Sequence, residues 1–358
     1  MKIGLAGGGT GGHAYPAIAV AEELRADPQV ELIYFGTERG PERGVAEAHG
    51  IPYRTVPASP LRSRSPIRLL RGTVDLFRGS AEAGHTLRHE APDSIFATGG
   101  YASAPLGRPA RSLKIPLLLF LPDVKPGWAV RYLQRYATTV ACSVESSLRY
   151  LKASKSLVTG YPVRRQFSEA TREEGISRFG LDPSLPTVLV AGGSLGSHAI
   201  NLVLASALRG LLGRAQIIHI AGRDEELWLS KERDRLPEWQ QERYHLFAYT
   251  EEMAWAMAAS DLAVTRAGAS VLGELPATRL PAVVIPGDFS DQHLNAAHLV
   301  ERGAAVALSM RQIDDLEATV TRLLDDEGER RSMAAAMAEM ARPNAARELA
   351  SMLRDLAA

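Results

Sequence analysis

The sequence predicts an α/β protein built as two doubly wound parallel-sheet domains, and three observations predict it. Short apolar runs alternate with longer amphipathic ones, the pattern of buried parallel strands separated by helices. The rhythm restarts near residue 187, after a polar, proline-punctuated stretch at 162–185 that reads as a linker. Each half opens with a strand that runs directly into a glycine-rich turn, GGGTGGH at 7–13 and GGSLG at 192–196.

In the first half, strands are expected at 2–6, 30–35, 94–97, 116–121 and 138–141. Helices are expected at 14–25, 41–49 and 102–113. In the second half, strands are expected at 187–191, 216–220, 245–247, 262–264, 281–285 and 304–308, again with helices between them. Residues 317–358 read as helical, with breaks expected at Gly328 and Pro343. Two such sheets would face one another across a cleft. The length of 358 residues suits two domains rather than one core.

Composition narrows the function classes. With 46% hydrophobic and 23% charged residues the chain is globular. Its 41 basic and 41 acidic side chains balance, so no nucleic-acid partner is suggested. Cys142 is the single cysteine, which fits a reducing compartment. The N-terminus carries no signal-peptide pattern, and the densest apolar run, 115–121, is far short of the ~20 residues a bilayer crossing needs. His85, His89, His219 and His245 have no metal-ligand companions, and no metal site is expected.

The first glycine loop carries candidate chemistry. Glycines let the backbone turn sharply and approach a ligand, and the following helix N-terminus offers unpaired N–H groups to an anion. Gly7, Gly9 and Gly12 also satisfy the dinucleotide pattern, but the second strand ends in Phe35, Gly36 and Thr37, with Glu38 following late for the ribose-binding acid. His13, at the helix start, is either a general base or a packing residue. The second loop repeats the device, with Ser194 able to donate to a phosphate. A third segment, RAGASVLGELPA at 266–277, places Glu274 inside an apolar helix, where an unpaired carboxylate is expensive. Its partner is a ribose diol or a neighbouring backbone N–H.

Taken together, AGGGTGGHAYPAIAVAEEL, TGGYASAP at 98–105, GYPVR at 160–164, GGSLGSHAIN, RAGASVLGELPA and DQHLNA resemble glycosyltransferase family 28 over nearly the whole chain. The likeness is to the branch that moves N-acetylglucosamine from UDP onto lipid I, the undecaprenyl-pyrophosphoryl-MurNAc-pentapeptide of peptidoglycan synthesis. It implies a GT-B fold, an inverting transfer and no cofactor. It also implies an acceptor and membrane-side domain at 1–162, a UDP-sugar domain at 163–340, and a terminal helix at 341–358 that crosses back to the first.

By the same resemblance, Thr10, Gly11 and Gly12 line the acceptor and diphosphate side. Arg164 and Ser194 approach the UDP phosphates. Thr250 contacts uracil through its backbone. Ala269, Ser270, Val271, Leu272, Gly273 and Glu274 hold the nucleoside, with Glu274 on the ribose. Gln292 and Asn295 reach the donor sugar, and Gly99, Gly100 and Tyr101 lie near the acceptor. One departure stands out. Where the family carries His-Glu-Gln-Asn after the fifth strand, this chain has Phe120, Leu121, Pro122 and Asp123. His13 and Asp123 therefore compete for the role of base, and the acceptor is the less secure substrate. A different acceptor, a UDP-N-acetylglucosamine 2-epimerase and a catalytically decayed scaffold stand as alternatives. No two aspartates stand two apart, so phosphate charge falls to helix N-termini and Arg164, and activity is expected without a metal.

Residues 61–78 hold five arginines and one aspartate. Read as a helix, they put Ile67, Leu70, Val74 and Phe77 on one stripe, with Arg68 and Arg71 on the adjacent one. Such a stripe lies on an anionic lipid surface or packs as an ordinary surface helix. The resemblance favours the former, at the cytoplasmic face of a bacterial membrane.

Overall fold

A computed structural model describes residues 1–8, 11–58, 66–193, 195–287 and 291–358, with the side chains of 11 and 66–73 left undescribed. The chain forms two compact units, residues 1–165 with 342–358, and residues 166–341.

Unit 1 holds a seven-stranded, all-parallel sheet in the order β3-β2-β1-β4-β5-β6-β7. Its strands are β1 (Lys2–Ala6), β2 (Glu31–Gly36), β3 (Tyr53–Thr55), β4 (Ser94–Ala97), β5 (Leu117–Leu121), β6 (Thr139–Cys142) and β7 (Ser156–Val158). The central strands are buried on both faces, so Ile3, Leu5, Ile95, Phe96, Leu118 and Leu119 lose all exposure. The strand order reverses direction between β1 and β4, the switch point beside which ligands bind in such folds.

The expected strands are present to within a residue or two. The edge strands β3 and β7 escaped sequence reasoning. Each has three residues, is only partly buried, and leaves too short a pattern to read. The final helix, Ala345–Ala357, belongs to unit 1. It buries Leu349 and Leu353, and its Leu353 carbonyl accepts from Ser94 Oγ at 3.1 Å. The expected boundary after residue 162 falls inside unit 1, because Arg164 lies 4.4 Å over the Tyr15 ring and Arg165 N donates to Glu22 Oε2 at 2.8 Å.

Unit 2 holds a six-stranded parallel sheet, ordered β10-β9-β8-β11-β12-β13. The strands are β8 (Thr187–Ala191), β9 (Gln216–Ile220), β10 (Tyr244–Phe247), β11 (Leu262–Arg266), β12 (Ala282–Ile285) and β13 (Ala305–Ala307). Two expectations need correction. The stretch taken for a linker contains helices Gln166–Glu169 and Arg172–Phe179, the second capped by Thr171 and closed by Gly180 at φ +63. Their short, polar sequences hide these helices, because each buries only a few side chains. Gly328 does not break the C-terminal helical stretch. Helix Leu316–Asp325 ends before it, and Asp326 caps Glu327–Met340 by accepting from Glu329 N, with Gly328 inside.

Candidate active site

In unit 1 three loops leave the carboxyl ends of the adjacent strands β1, β4 and β5. The first leads into helix Gly11–Leu24, which has no acidic residue in its first turn to offset its N-terminal partial charge. Tyr34, fully buried, donates its hydroxyl to the Gly7 carbonyl at 2.6 Å. Beneath Gly8 lies the buried Glu42 carboxylate, which accepts from Thr37 N and Oγ1 at 2.9 and 2.7 Å.

His13 is half-buried, and its Nδ1 sits 2.9 Å from the Thr98 carbonyl oxygen. A carbonyl only accepts, so Nδ1 carries the proton and Nε2 keeps its lone pair. Thr98 Oγ1 returns a hydrogen bond to the His13 carbonyl, locking the helix start to the end of β4. The next loop, with Gly99 at φ +85 and Gly100 at φ +73, closes against the first. A Cβ on Gly100 would run into the Gly8 carbonyl oxygen, and one on Gly99 would lie 3.6 Å from the His13 ring. Ser103 Oγ pins this turn from Gly99 O at 2.8 Å and Gly100 O at 3.0 Å, leaving Tyr101 half-buried.

The third loop explains the departure noted in the sequence. Phe120 and Leu121 are the last residues of β5 and belong to the core. Phe120 meets Tyr161 edge-on at 6.1 Å and Phe96 at 6.2 Å. Pro122 is buried too, its carbonyl accepting from Ser143 Oγ at 2.8 Å. Asp123 is the first half-exposed side chain of the run, on a backbone whose carbonyl accepts from Ser147 Oγ at 3.3 Å. Polar chemistry on this loop therefore starts at Asp123.

In unit 2 the GGSLG loop joins β8 to helix His198–Leu212, with Ser197 at its N-cap and positive φ at Gly193 and Gly196. Ser194 and, in unit 1, Thr10 lie outside the described residues, as do the side chains of Ile67, Arg68, Leu70 and Arg71. Arg266 ends β11. Its Nη1 reaches within 3.5 Å of Ser197 Oγ, and its guanidinium occupies the space that a side chain at Gly287 would fill. Gln292 Oε1 accepts from Gly287 N at 2.9 Å.

Asn295 is fully buried and donates to the Ala267 carbonyl at 3.0 Å, tying the start of helix Gln292–Val300 to the turn after β11. That turn opens helix Val271–Thr278, where Ala269, Val271, Leu272, Gly273 and Glu274 are buried and Ser270 is half-exposed. Glu274 stands in the first turn, where the helix dipole favours a carboxylate. Thr250 Oγ1 accepts from Glu252 N at 3.0 Å beyond β10. These groups share the carboxyl edge of the second sheet.

Sequence reasoning missed Glu42, Thr98 and Arg266. Thr98 was legible as the residue between a strand and Gly-Gly, and Arg266 as the first residue of RAGASVLGELPA; Glu42 gave no signal, because the Gly8 backbone it underlies lies far along the chain.

Two parallel doubly wound sheets, each opening through a glycine loop into a helix N-terminus, make up the GT-B fold. Residues 3–142 match the glycosyltransferase family 28 N-terminal domain, and residues 187–349 match its C-terminal domain. A Roseiflexus protein named UDP-N-acetylglucosamine–N-acetylmuramyl-(pentapeptide) pyrophosphoryl-undecaprenol N-acetylglucosamine transferase is 38% identical, covering 99% of this chain and 95% of that one. The crystal structure of Acinetobacter baumannii MurG superposes with a TM-score of 0.75 at 25% identity, over 99% of each chain. A Neisseria meningitidis UDP-GlcNAc 2-epimerase reaches a TM-score of 0.70 at 15% identity, covering 99% of this chain and 100% of that one, a likeness of fold. This chain belongs to glycosyltransferase family 28.

Proposed function

We propose that this protein transfers N-acetylglucosamine from UDP-N-acetylglucosamine to lipid I, making lipid II for peptidoglycan. The carrying observation is the fixed tautomer of His13 on the first glycine loop, which leaves Nε2 as the basic atom of a ring packed beside Gly99. In this reading the acceptor hydroxyl attacks the anomeric carbon, Nε2 takes its proton, and UDP departs as the glycosidic bond to its β-phosphate breaks. Charge on the leaving diphosphate is met by the helix N-terminus after GGSLG and by arginine side chains, without a metal. Glu274 holds the ribose and Gln292 the donor sugar.

The test is UDP release from UDP-N-acetylglucosamine with and without a lipid I analogue, each with and without EDTA. Release that needs the analogue and survives EDTA is expected. Abolition by EDTA would refute the metal-free reading. Release without acceptor, with a 2-epimerised sugar as product, would replace the transferase by an epimerase.

We also propose peripheral binding to an anionic membrane through helix Pro66–Glu90. Val74 and Phe77 are 48% and 60% exposed on this helix, apolar surface that an interface could take up. Phe77 lines a groove of about 300 Å³ with Ala81, Gly84, Pro109, Leu113 and the cationic Arg88 and Arg108. Among the described residues no helix is long and apolar enough to cross a membrane. Phe77→Asp is expected to reduce co-sedimentation with phosphatidylglycerol vesicles at least several-fold while leaving UDP affinity intact. Equal sedimentation of both proteins would refute the surface.

A further inference from the structure

A buried polar chain in unit 2 lies behind the second glycine loop. Asn201, on helix His198–Leu212, has no exposure, and its Nδ2 faces the Ala221 carbonyl at 3.0 Å and Glu225 Oε2 at 3.3 Å. Both partners accept only, so Asn201 Oδ1 points the other way, where His219 Nε2 stands at 3.0 Å. An amide oxygen cannot donate. His219 therefore carries its proton on Nε2, and its Nδ1 accepts from the Tyr244 hydroxyl at 2.7 Å. Burial pushes the His219 imidazole down to about 3, so it stays neutral across the working range and the direction of every bond is fixed.

The far end of this chain holds backbone that the glycine loop touches. A Cβ on Gly196 would collide with the Ala221 carbonyl oxygen, and one on Gly222 would lie 2.7 Å from Leu195 O. Gly222, at φ +100, thus permits the close approach. Ala221 N and Gly222 N donate to Phe247 O and Ala248 O at 2.9 and 3.0 Å, which ties the same segment to the end of β10.

We propose that Asn201 is a positioning residue: its amide fixes the backbone at 221–222 against which the GGSLG loop rests, and so sets the affinity for the nucleoside diphosphate of the donor. The inference deepens the donor reading given above and rests on it.

The experiment measures UDP affinity by calorimetry and UDP-induced thermal stabilisation, each variant against its own ligand-free baseline. Asn201→Ala leaves Ala221 O and His219 Nε2–H unpaired. It is expected to raise the UDP Kd and the donor KM about tenfold, while kcat and the acceptor KM move less than about threefold. A merely structural role would lower the ligand-free melting temperature and leave the UDP Kd unchanged, which would overturn the proposal. Gly222→Ala pushes the same 221–222 segment against the loop at Leu195 and Gly196, with Asn201 itself unchanged, and is expected to show the same donor-only signature. Normal UDP binding by that variant would overturn the proposal even if Asn201→Ala failed to fold. Failure of the unaltered protein to bind UDP would bring down the donor reading and this inference together. Unaltered binding with unaffected variants brings down the inference alone.

Discussion

His13→Ala is expected to lower the rate of acceptor-dependent UDP release by roughly two to four orders of magnitude, with the UDP Kd unchanged. The argument is geometric. The Thr98 carbonyl holds the Nδ1 proton at 2.9 Å, so the imidazole cannot swap tautomers without losing that bond, and Nε2 remains the basic atom. The alanine variant removes both the base and the ring's own bond to the Thr98 carbonyl. His13→Asn separates them, since its amide N–H still serves Thr98 but has no basic nitrogen. Equal slowing by both variants assigns the loss to proton transfer. Recovery in the asparagine variant would assign it to loop position, and a nearly unchanged rate in both would move the base to Asp123. The mutations leave the core intact, because the Thr98 hydroxyl bonds to the His13 backbone and not its ring.

Gly100→Ala is expected to cost about a hundredfold in turnover and on the order of 1–3 kcal/mol in stability. Gly100 sits at φ +73, a conformation that side-chain-bearing residues adopt at a cost. Its absent Cβ is also what lets the β4 loop close on the Gly8 carbonyl. The neighbour is backbone, which has no rotamer to escape into, so the two loops must part and the His13 ring beside Gly99 moves with them. The melting temperature and kcat report the two losses separately. Gly127→Ala is the control. It lies on the same sheet edge, at φ −66, with no atom within 4 Å of the added carbon, and a near-neutral outcome is expected. Similar losses at both positions would show that close approach of the loops is not the cause.

Much of this was legible before folding. The central strands announced themselves as continuous Val, Ile and Leu runs because parallel strands are buried on both faces. The two glycine loops were legible because only glycine meets the backbone demands of a strand that turns straight into a helix. Local signals failed where the stabilising partner is remote or the element is short. The strands Tyr53–Thr55 and Ser156–Val158 exist because a neighbouring strand edge pairs with them, not because their residues prefer it. The two helices within 166–179 are polar on most sides and carry no long apolar stripe.

The same division runs through the site. Sequence alone determined a two-sheet protein with anion-ready loops and singled out His13, and its motifs carried the resemblance to family 28. Only the tertiary structure decided which nitrogen of His13 is basic, because the deciding carbonyl, Thr98, lies 85 residues away in sequence. It alone decided that Phe120 and Leu121 are core residues and that Asp123 is the first half-exposed side chain of that run. It alone placed Asn201, one letter of the GGSLGSHAIN motif, at the buried centre of a directed hydrogen-bond chain. Hydrophobic period and backbone propensity act over a few residues and are written locally. The direction of a hydrogen bond depends on which groups the fold brings to face one another.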